Sequence, residues 1–375
     1  MQDKDQDKRP AHLQGRATGL SRRTLLRYGA AAGLAIPAGA YGGHVVAGSL
    51  LTPSTPALPE FPICLTAADG QPAATGPLTP IKLAWNATGI CTAAAPLAKE
   101  SGIFARHGLD VDFVNFGGST EALLEAIATG KADAGIGMAL RWLKPLEQGF
   151  DVRITAGLHG GCIRLLGSQE TGVTRLEDLK GKTVAISDQA SPAKNFFSLL
   201  LAKRGIDPDT VQWRNYPAEA LQLAVDKGEA QALADNDPRT WIFLKESKGK
   251  LIEVASNLSA EFQTRSCCVL AIRNTLLRDD KRTATALTVA LLESAHLVAA
   301  RPEEGAKAFA SYGGKGSQAD LADMLRSHTH NHNPVGAALK KEIADYVDEL
   351  KLVNVIKPST NSARFADRVY ADVLS

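Results

Sequence analysis

At 375 residues, with 45% hydrophobic and 22% charged side chains, the chain has ordinary globular composition and enough length for two lobes with a sizeable core. The formal charge of +2 is misleading: the first forty residues hold seven Lys/Arg against three Asp, and the remainder, with 35 basic and 37 acidic side chains, sits near −2. That balance excludes a basic footprint, so no nucleic-acid partner is expected.

Residues 1–40 read as an export signal. Ser21-Arg22-Arg23-Thr24-Leu25-Leu26-Arg27 resembles the twin-arginine motif, and a mildly apolar run from Tyr28 to Ala40 follows. The run closes on Ala38-Gly39-Ala40, small residues of the kind a signal peptidase cuts beside. A basic, unstructured terminus is the plainer alternative. No cysteine stands just after the run, and Cys64 follows Phe61-Pro62-Ile63, which is no lipobox. The expectation is a soluble periplasmic protein exported by the twin-arginine route. Residues 41–80 are dense in proline from Pro53 to Pro80, which removes backbone donors and predicts an extended spacer.

The folded part opens near Ile81. A strand (Ile81–Trp85) leads through a glycine-containing loop into a helix, and a charged turn with Gly108 precedes a second strand, Val111–Phe116. Gly117-Gly118-Ser119 then starts another helix, and a third strand spans Ala134–Met138. Strands alternating with helices predict a parallel sheet whose ligands sit at the strand C-termini. The order of strand, "ESGIFARHGLDVDF" turn and "GKADAGIG" strand resembles the solute-binding proteins of ABC importers for nitrate, taurine, alkanesulfonates and thiamine pyrimidines. The resemblance implies an α/β, two-lobe fold of the type II periplasmic-binding-protein class. It also implies a small-molecule ligand, an ABC permease in the inner membrane as partner, a monomer, no cofactor and no catalytic residues.

Beyond Met138 the pattern continues. Strands are predicted at Val152–Leu158, Ile163–Ser168, Ala230–Ala234, Lys250–Ala255 and Cys267–Arg273. Leu176 to Ile186 carries the "DLKGK" turn and strand of the same family, and helices are predicted at Ala193–Arg204, Ala218–Gly228 and, mainly, Thr275–Ser311. The resemblance fades after about Tyr312. It implies two strand crossings between lobes, near Cys162–Ser168 and Cys267–Arg273, so that residues 81–161 and 274–375 form lobe one. Residues 162–273 then hold the hinge strands and lobe two, and closure on a ligand is the implied motion.

Candidate ligand contacts follow from the strand ends. Lobe one offers Asn86, Cys91, Thr92, Gly118, Ser119, Met138 and His159; the hinge offers Cys162; lobe two offers Gln189, Ser191, Asn195, Asp235 and Asp237. Ser119 stands where a helix N-cap belongs, with free N–H groups nearby that suit an anionic oxygen, although a cap alone is the simpler role. Asp235 and Asp237 suit an amine, or form an Asx turn. Arg141 and Arg164 are the basic residues nearest the expected pocket, and Arg141 is expected on a solvent-exposed helix face. The ligand itself is not specified by these residues.

The cysteines and histidines stand apart from this pattern. Cys91, Cys162, Cys267 and Cys268 all fall at expected cleft or hinge positions. In an oxidising compartment Cys162 would pair with Cys267 or Cys268, closing a loop of about 105 residues worth roughly 4–5 kcal/mol in chain entropy. A thiol-lined pocket for a soft metal, with His159, is the alternative, but there is no CxxC spacing. His328, His330 and His332 alternate before Pro334 and are weak metal candidates, a solvated loop being the simpler account. The Cys267-Cys268 pair also resembles fungal thiamine-pyrimidine synthases, in which a lysine that holds pyridoxal phosphate would fall near Gly137, where this chain has none. P-loop, GxSxG and HExxH signatures are missing.

Overall fold

A computed structural model describes residues 76–375. The expected export signal, most of the spacer and Cys64 lie outside the described residues. Those described form ten strands in two five-stranded sheets, each with helices on both faces. The strands are β1 (Thr79–Trp85), β2 (Leu109–Asn115), β3 (Ala134–Met138), β4 (Val152–His159) and β5 (Ile163–Gly167). They continue with β6 (Thr183–Ile186), β7 (Gln212–Asn215), β8 (Ala232–Asn236), β9 (Ile252–Ser256) and β10 (Cys268–Arg273).

The first sheet has the order β2-β1-β3-β10-β4, the second β7-β6-β8-β5-β9. In each, three parallel strands adjoin a fourth that runs antiparallel and was contributed by a crossing from the other lobe's side of the chain. Helices connect the parallel strands, which is why the alternating pattern was readable. Strand β10, expected with the hinge and lobe two, lies inside the first sheet between β3 and β4. Strand β7 was not expected at all: it is an edge strand whose residues Gln212, Arg214 and Asn215 are exposed, so no apolar alternation marks it.

Core formation follows side-chain alternation. On β1, Ile81, Leu83 and Trp85 enter one core while Ala84 enters another on the opposite face. The helix Lys281–Ala300 is long and apolar enough to cross a membrane, but it is a core helix: Thr288 Oγ1 meets Thr155 Oγ1 at 3.1 Å and Ser294 Oγ donates to the Ala94 carbonyl at 2.6 Å. Beyond Tyr312, helices at Gln318–Ser327, Gly336–Lys351 and Ser362–Val369 complete the chain, and Ala371 N–H bonds the Ile154 carbonyl beside β4.

The two sheets are joined by Gly160-Gly161-Cys162 between β4 and β5, and by residues 257–267 between β9 and β10. These two crossings are tied to one another. Asn257 N–H donates to the Ile163 carbonyl at 3.1 Å, Ile163 N–H donates to Asn257 Oδ1 at 2.7 Å, and Cys267 N–H donates to the His159 carbonyl at 2.8 Å. Such close passage leaves no room for side chains: a Cβ on Gly161 would stand 2.4 Å from the Asn257 carbonyl oxygen, and one on Gly160 would stand 2.7 Å from the Thr329 carbonyl oxygen. Gly161→Ala is therefore expected to lower stability by about 1–3 kcal/mol, measured by denaturant unfolding, because backbone must move to admit the methyl group.

Candidate functional site

The C-terminal ends of the parallel strands in the two sheets face each other across a cavity of about 270 Å³. The first sheet contributes Thr88 after β1, Gly117, Gly118 and Ser119 after β2, Met138 at the end of β3 and Arg141 just beyond it. The second contributes Ser187, Asp188 and Ser191 after β6, Asn215 at the end of β7, and Asp235, Asn236 and Arg239 at and after β8. Gly117 and Gly118, at φ +59° and +86°, make the reversal that delivers Ser119 to its helix, a backbone path costly for other residues.

Two helices begin at this cavity, one from each lobe. Ser119 Oγ accepts from Ala122 N–H at 3.2 Å at the start of Thr120–Ala128, and Ser191 Oγ accepts from Lys194 N–H at 3.2 Å at the start of Pro192–Lys203. Both side chains are thus caps, and both N-termini bring first-turn N–H groups and positive dipole ends to the cavity wall.

Arg141 corrects the expectation of an exposed side chain. It follows β3 directly on the helix Ala139–Glu147, which turns it inward, so that it is 5% exposed and stacked 5.8 Å over Phe116. Its Nη1 donates to Thr120 Oγ1 at 2.6 Å, and Thr120 Oγ1 lies 3.4 Å from Asp188 Oδ2 of the other lobe. Among the described residues no carboxylate lies within ion-pair distance of this guanidinium. Burial lowers its pKa, partly countered by the charges of Asp188 and Asp235, and an arginine in this position remains charged. Arg239 is different, since it pairs with Asp235 at 2.5 Å and with Glu219 at 3.6 Å. Sequence reasoning missed it, although its place just after the β8 turn was the available signal.

Of the expected contacts, Gly118, Ser119, Met138, Ser191 and Asp235 line the cavity. Asn86 lies behind it, its Oδ1 accepting from Thr88 N–H and Oγ1. Thr92 Oγ1 donates to the Asn86 and Gly89 carbonyls. Gln189 and Asn195 line an adjoining groove that shares Ser119, Arg141 and Asp188 with the cavity, and Gln189 Nε2 donates to the Trp213 carbonyl and Asn215 Oδ1. Cys91, His159, Cys162 and Asp237 belong to the hinge instead.

At the hinge, Asp237 is fully buried. Its carboxylate accepts from Arg164 Nε at 3.0 and 3.1 Å, from Thr240 Oγ1 at 2.6 Å and from the Trp241 N–H at 3.1 Å, and it bonds His328 Nε2 at 2.9 Å. Arg164 also pairs with Glu253. His328 Nδ1 stands 3.1 Å from His159 Nε2, so a chain of polar contacts runs from β8 through the C-terminal segment to the end of β4. Burial raises the Asp237 carboxyl, but His328 and Arg164 outweigh it and hold it below the usual aspartate value. The three alternating histidines do not converge: His330 Nε2 meets the Leu325 carbonyl and His332 pairs with Glu342. Among the described residues no group of three or more His, Cys, Asp or Glu side chains is arranged to hold a metal ion. Nor do the residues fit pyridoxal phosphate: a Cβ on Gly137 would stand 3.1 Å from Trp142 Nε1 and 3.3 Å from Leu123, and none of the residues lining the cavity is a lysine.

The sequence matches the family described as NMT1/THI5 like over residues 92–305. No curated protein matches it. Solved structures that share its fold include the alkanesulfonate-binding protein SsuA from Xanthomonas axonopodis pv. citri bound to MOPS, at 18% identity and TM-score 0.61, covering 77% of this chain and 98% of that one. The periplasmic aliphatic sulphonate binding protein SsuA from Escherichia coli aligns at 15% identity and TM-score 0.63, covering 78% and 92%. The periplasmic nitrate-binding protein NrtA from Synechocystis PCC 6803 aligns at 16% identity and TM-score 0.63, covering 78% and 86%. At these identities the likeness is one of fold.

The hinge has a pH consequence. Burial, then the neighbouring His328 and His330, hold His159 well below the ordinary histidine value, and burial lowers His330 and His296 as well. The unfolded chain therefore binds protons that the folded chain refuses once pH falls below about 6.5. Stability is full above that pH and declines below it. Thermal unfolding is expected at lower temperature at pH 5 than at pH 7.5, with a shallower decline in His159→Gln.

Proposed function

From the premise that the chain belongs to the NMT1/THI5-like family, we propose that it is a solute-binding protein that captures a small anion between its two lobes. The observation that carries this reading is Arg141, a buried guanidinium facing the cavity without a carboxylate partner among the described residues. A charge so placed is costly to bury alone and is relieved by a ligand of opposite sign. The helix N-termini at Ser119 and Ser191 add positive dipole ends from both lobes, so an anion touching all three is gripped across the cleft. The ligand class is a sulfonate-, nitrate- or carboxylate-type anion whose size suits about 270 Å³.

In this reading the protein is exported to the periplasm by the twin-arginine route, acts as a monomer and hands its ligand to an ABC permease in the inner membrane. The fold shared with periplasmic sulfonate- and nitrate-binding proteins supports the location and the partner. The mechanism is capture by closure: the cleft residues of both lobes supply the polar groups, and bringing them together excludes water and strengthens each contact.

The test is a thermal-shift and calorimetry panel of sulfonates, nitrate, carboxylates and neutral pyrimidines against the full chain. One class of anion is expected to raise the unfolding temperature, and Arg141→Ala to weaken it roughly ten- to hundredfold, the range for a lost charge-assisted contact. Binding of neutral pyrimidines only, or anion binding indifferent to Arg141→Ala, would sink the proposal.

A further inference from the structure

Four cysteines separated by up to 177 positions in the chain meet at the hinge, Cys91 and Cys268 each in hydrogen-bond contact with Cys162. Cys91 lies on the turn Ile90–Thr92 after β1, Cys162 ends the first crossing, Cys267 ends the second, and Cys268 begins β10. All four are free and buried, with Cys162 at 0% and Cys267 at 5% exposure. The Cys162 and Cys267 sulfurs stand 3.7 Å apart, close enough that a small rotation brings them to bonding distance. Main-chain bonds already fix the pair: Cys267 N–H to the His159 carbonyl, and Asp237 N–H to the Cys162 carbonyl, each at 2.8 Å.

We propose that Cys162 and Cys267 are a redox modification site, closing a reversible disulfide that ties the two interlobe crossings together. The electronic setting agrees with the geometry. Hydrogen bonds from Cys162 and then Cys268 lower the Cys267 thiol below the ordinary cysteine value, those with Cys267 and Cys268 raise Cys162, and Cys91 is lowered to about 5 by Cys162 and Cys268. Cys267, the more exposed of the pair that stands 3.7 Å apart, is the attacking sulfur and Cys162 the resolving one.

The oxidant is a small disulfide of the glutathione class. The Cys267 thiolate attacks one of its sulfurs and releases one thiolate, forming a mixed disulfide. Cys162 then loses its proton and attacks the Cys267 sulfur, releasing the second. The net change converts two protein thiols and one oxidised glutathione into one protein disulfide and two glutathione thiols. Cys91 and Cys268 are not oxidised.

The test uses the full chain, reduced and then exposed to oxidised glutathione. Free thiols are alkylated, the protein is digested without reductant, and the linked peptides are weighed and then fragmented between Cys267 and Cys268 to show which of the two carries the bond. The expected result is one linked peptide pair containing Cys162 and Cys267, lighter by two hydrogens and separated by dithiothreitol. The oxidised form is expected to unfold about 5 °C higher than the reduced form, and Cys162→Ser to abolish both the link and the shift. Mapping of the unmodified sequence needs no variant to fold and no ligand to bind, so its outcome is independent of the anion-binding proposal. A link that joins Cys91, Cys268 or Cys64 in place of this pair, or cysteines that remain fully alkylatable after oxidation, would overturn it.

Discussion

A buried carboxylate governs the layout of this protein. Asp237 has no access to water, and a charge in that position is tolerable only if its oxygens are saturated. The partners that saturate it come from three places: Arg164 from β5, Thr240 and the Trp241 N–H from the helix after β8, and His328 from the C-terminal segment. Satisfying one charge therefore fixes lobe two, the first crossing and the end of the chain in a single arrangement. The C-terminal segment, where the family resemblance faded, is integral for this reason. Its helix Gly336–Lys351 also grips the second crossing, with Glu342 accepting from the Ser266 N–H, Tyr346 donating to the Ser266 carbonyl and Glu349 pairing with Arg265.

The cleft works by the opposite electrostatic logic. Asp235 and Arg239 neutralise each other within hydrogen-bond distance, and Asp188 is engaged by Thr120 and by the Ala190 N–H. What remains without an ion-pair partner among the described residues is Arg141 with the two helix ends, and Asp188, which Thr120 Oγ1 links to Arg141. The hinge is thus a closed network and the cleft an open one. For the proposed anion, Asp188 and Asp235 would repel a second negative group near them and accept a neutral or cationic far end.

Much of the fold was legible because helix-connected parallel strands leave alternating periods in the sequence. What escaped has physical causes. β7 is exposed at a sheet edge, and β10 enters the first sheet antiparallel from a distant part of the chain, which no local pattern encodes. The candidate cavity was legible to the level of loops, since clefts in such sheets open at strand C-termini. Individual side chains were not. Whether Arg141 points inward depends on how its helix docks, and whether Asp237 forms a turn or a buried network depends on His328, 91 residues away. The convergence of Cys91, Cys162, Cys267 and Cys268 had no spacing signature either, because three separate elements deliver them.

Hydrogen bonds between Asn257 and Ile163 and between Cys267 and His159 hold the crossings side by side, so any lobe closure must rotate about that paired stretch and not pull it apart. Gly160 and Gly161 lie within it, and their lack of a side chain answers crowding by Thr329 and Asn257; neither adopts a left-handed backbone. A covalent bond between Cys162 and Cys267 would tie the same two crossings together and oppose their unfolding. The proposed ligand capture and the thiol chemistry use different side chains, since none of the four cysteines lines the cavity.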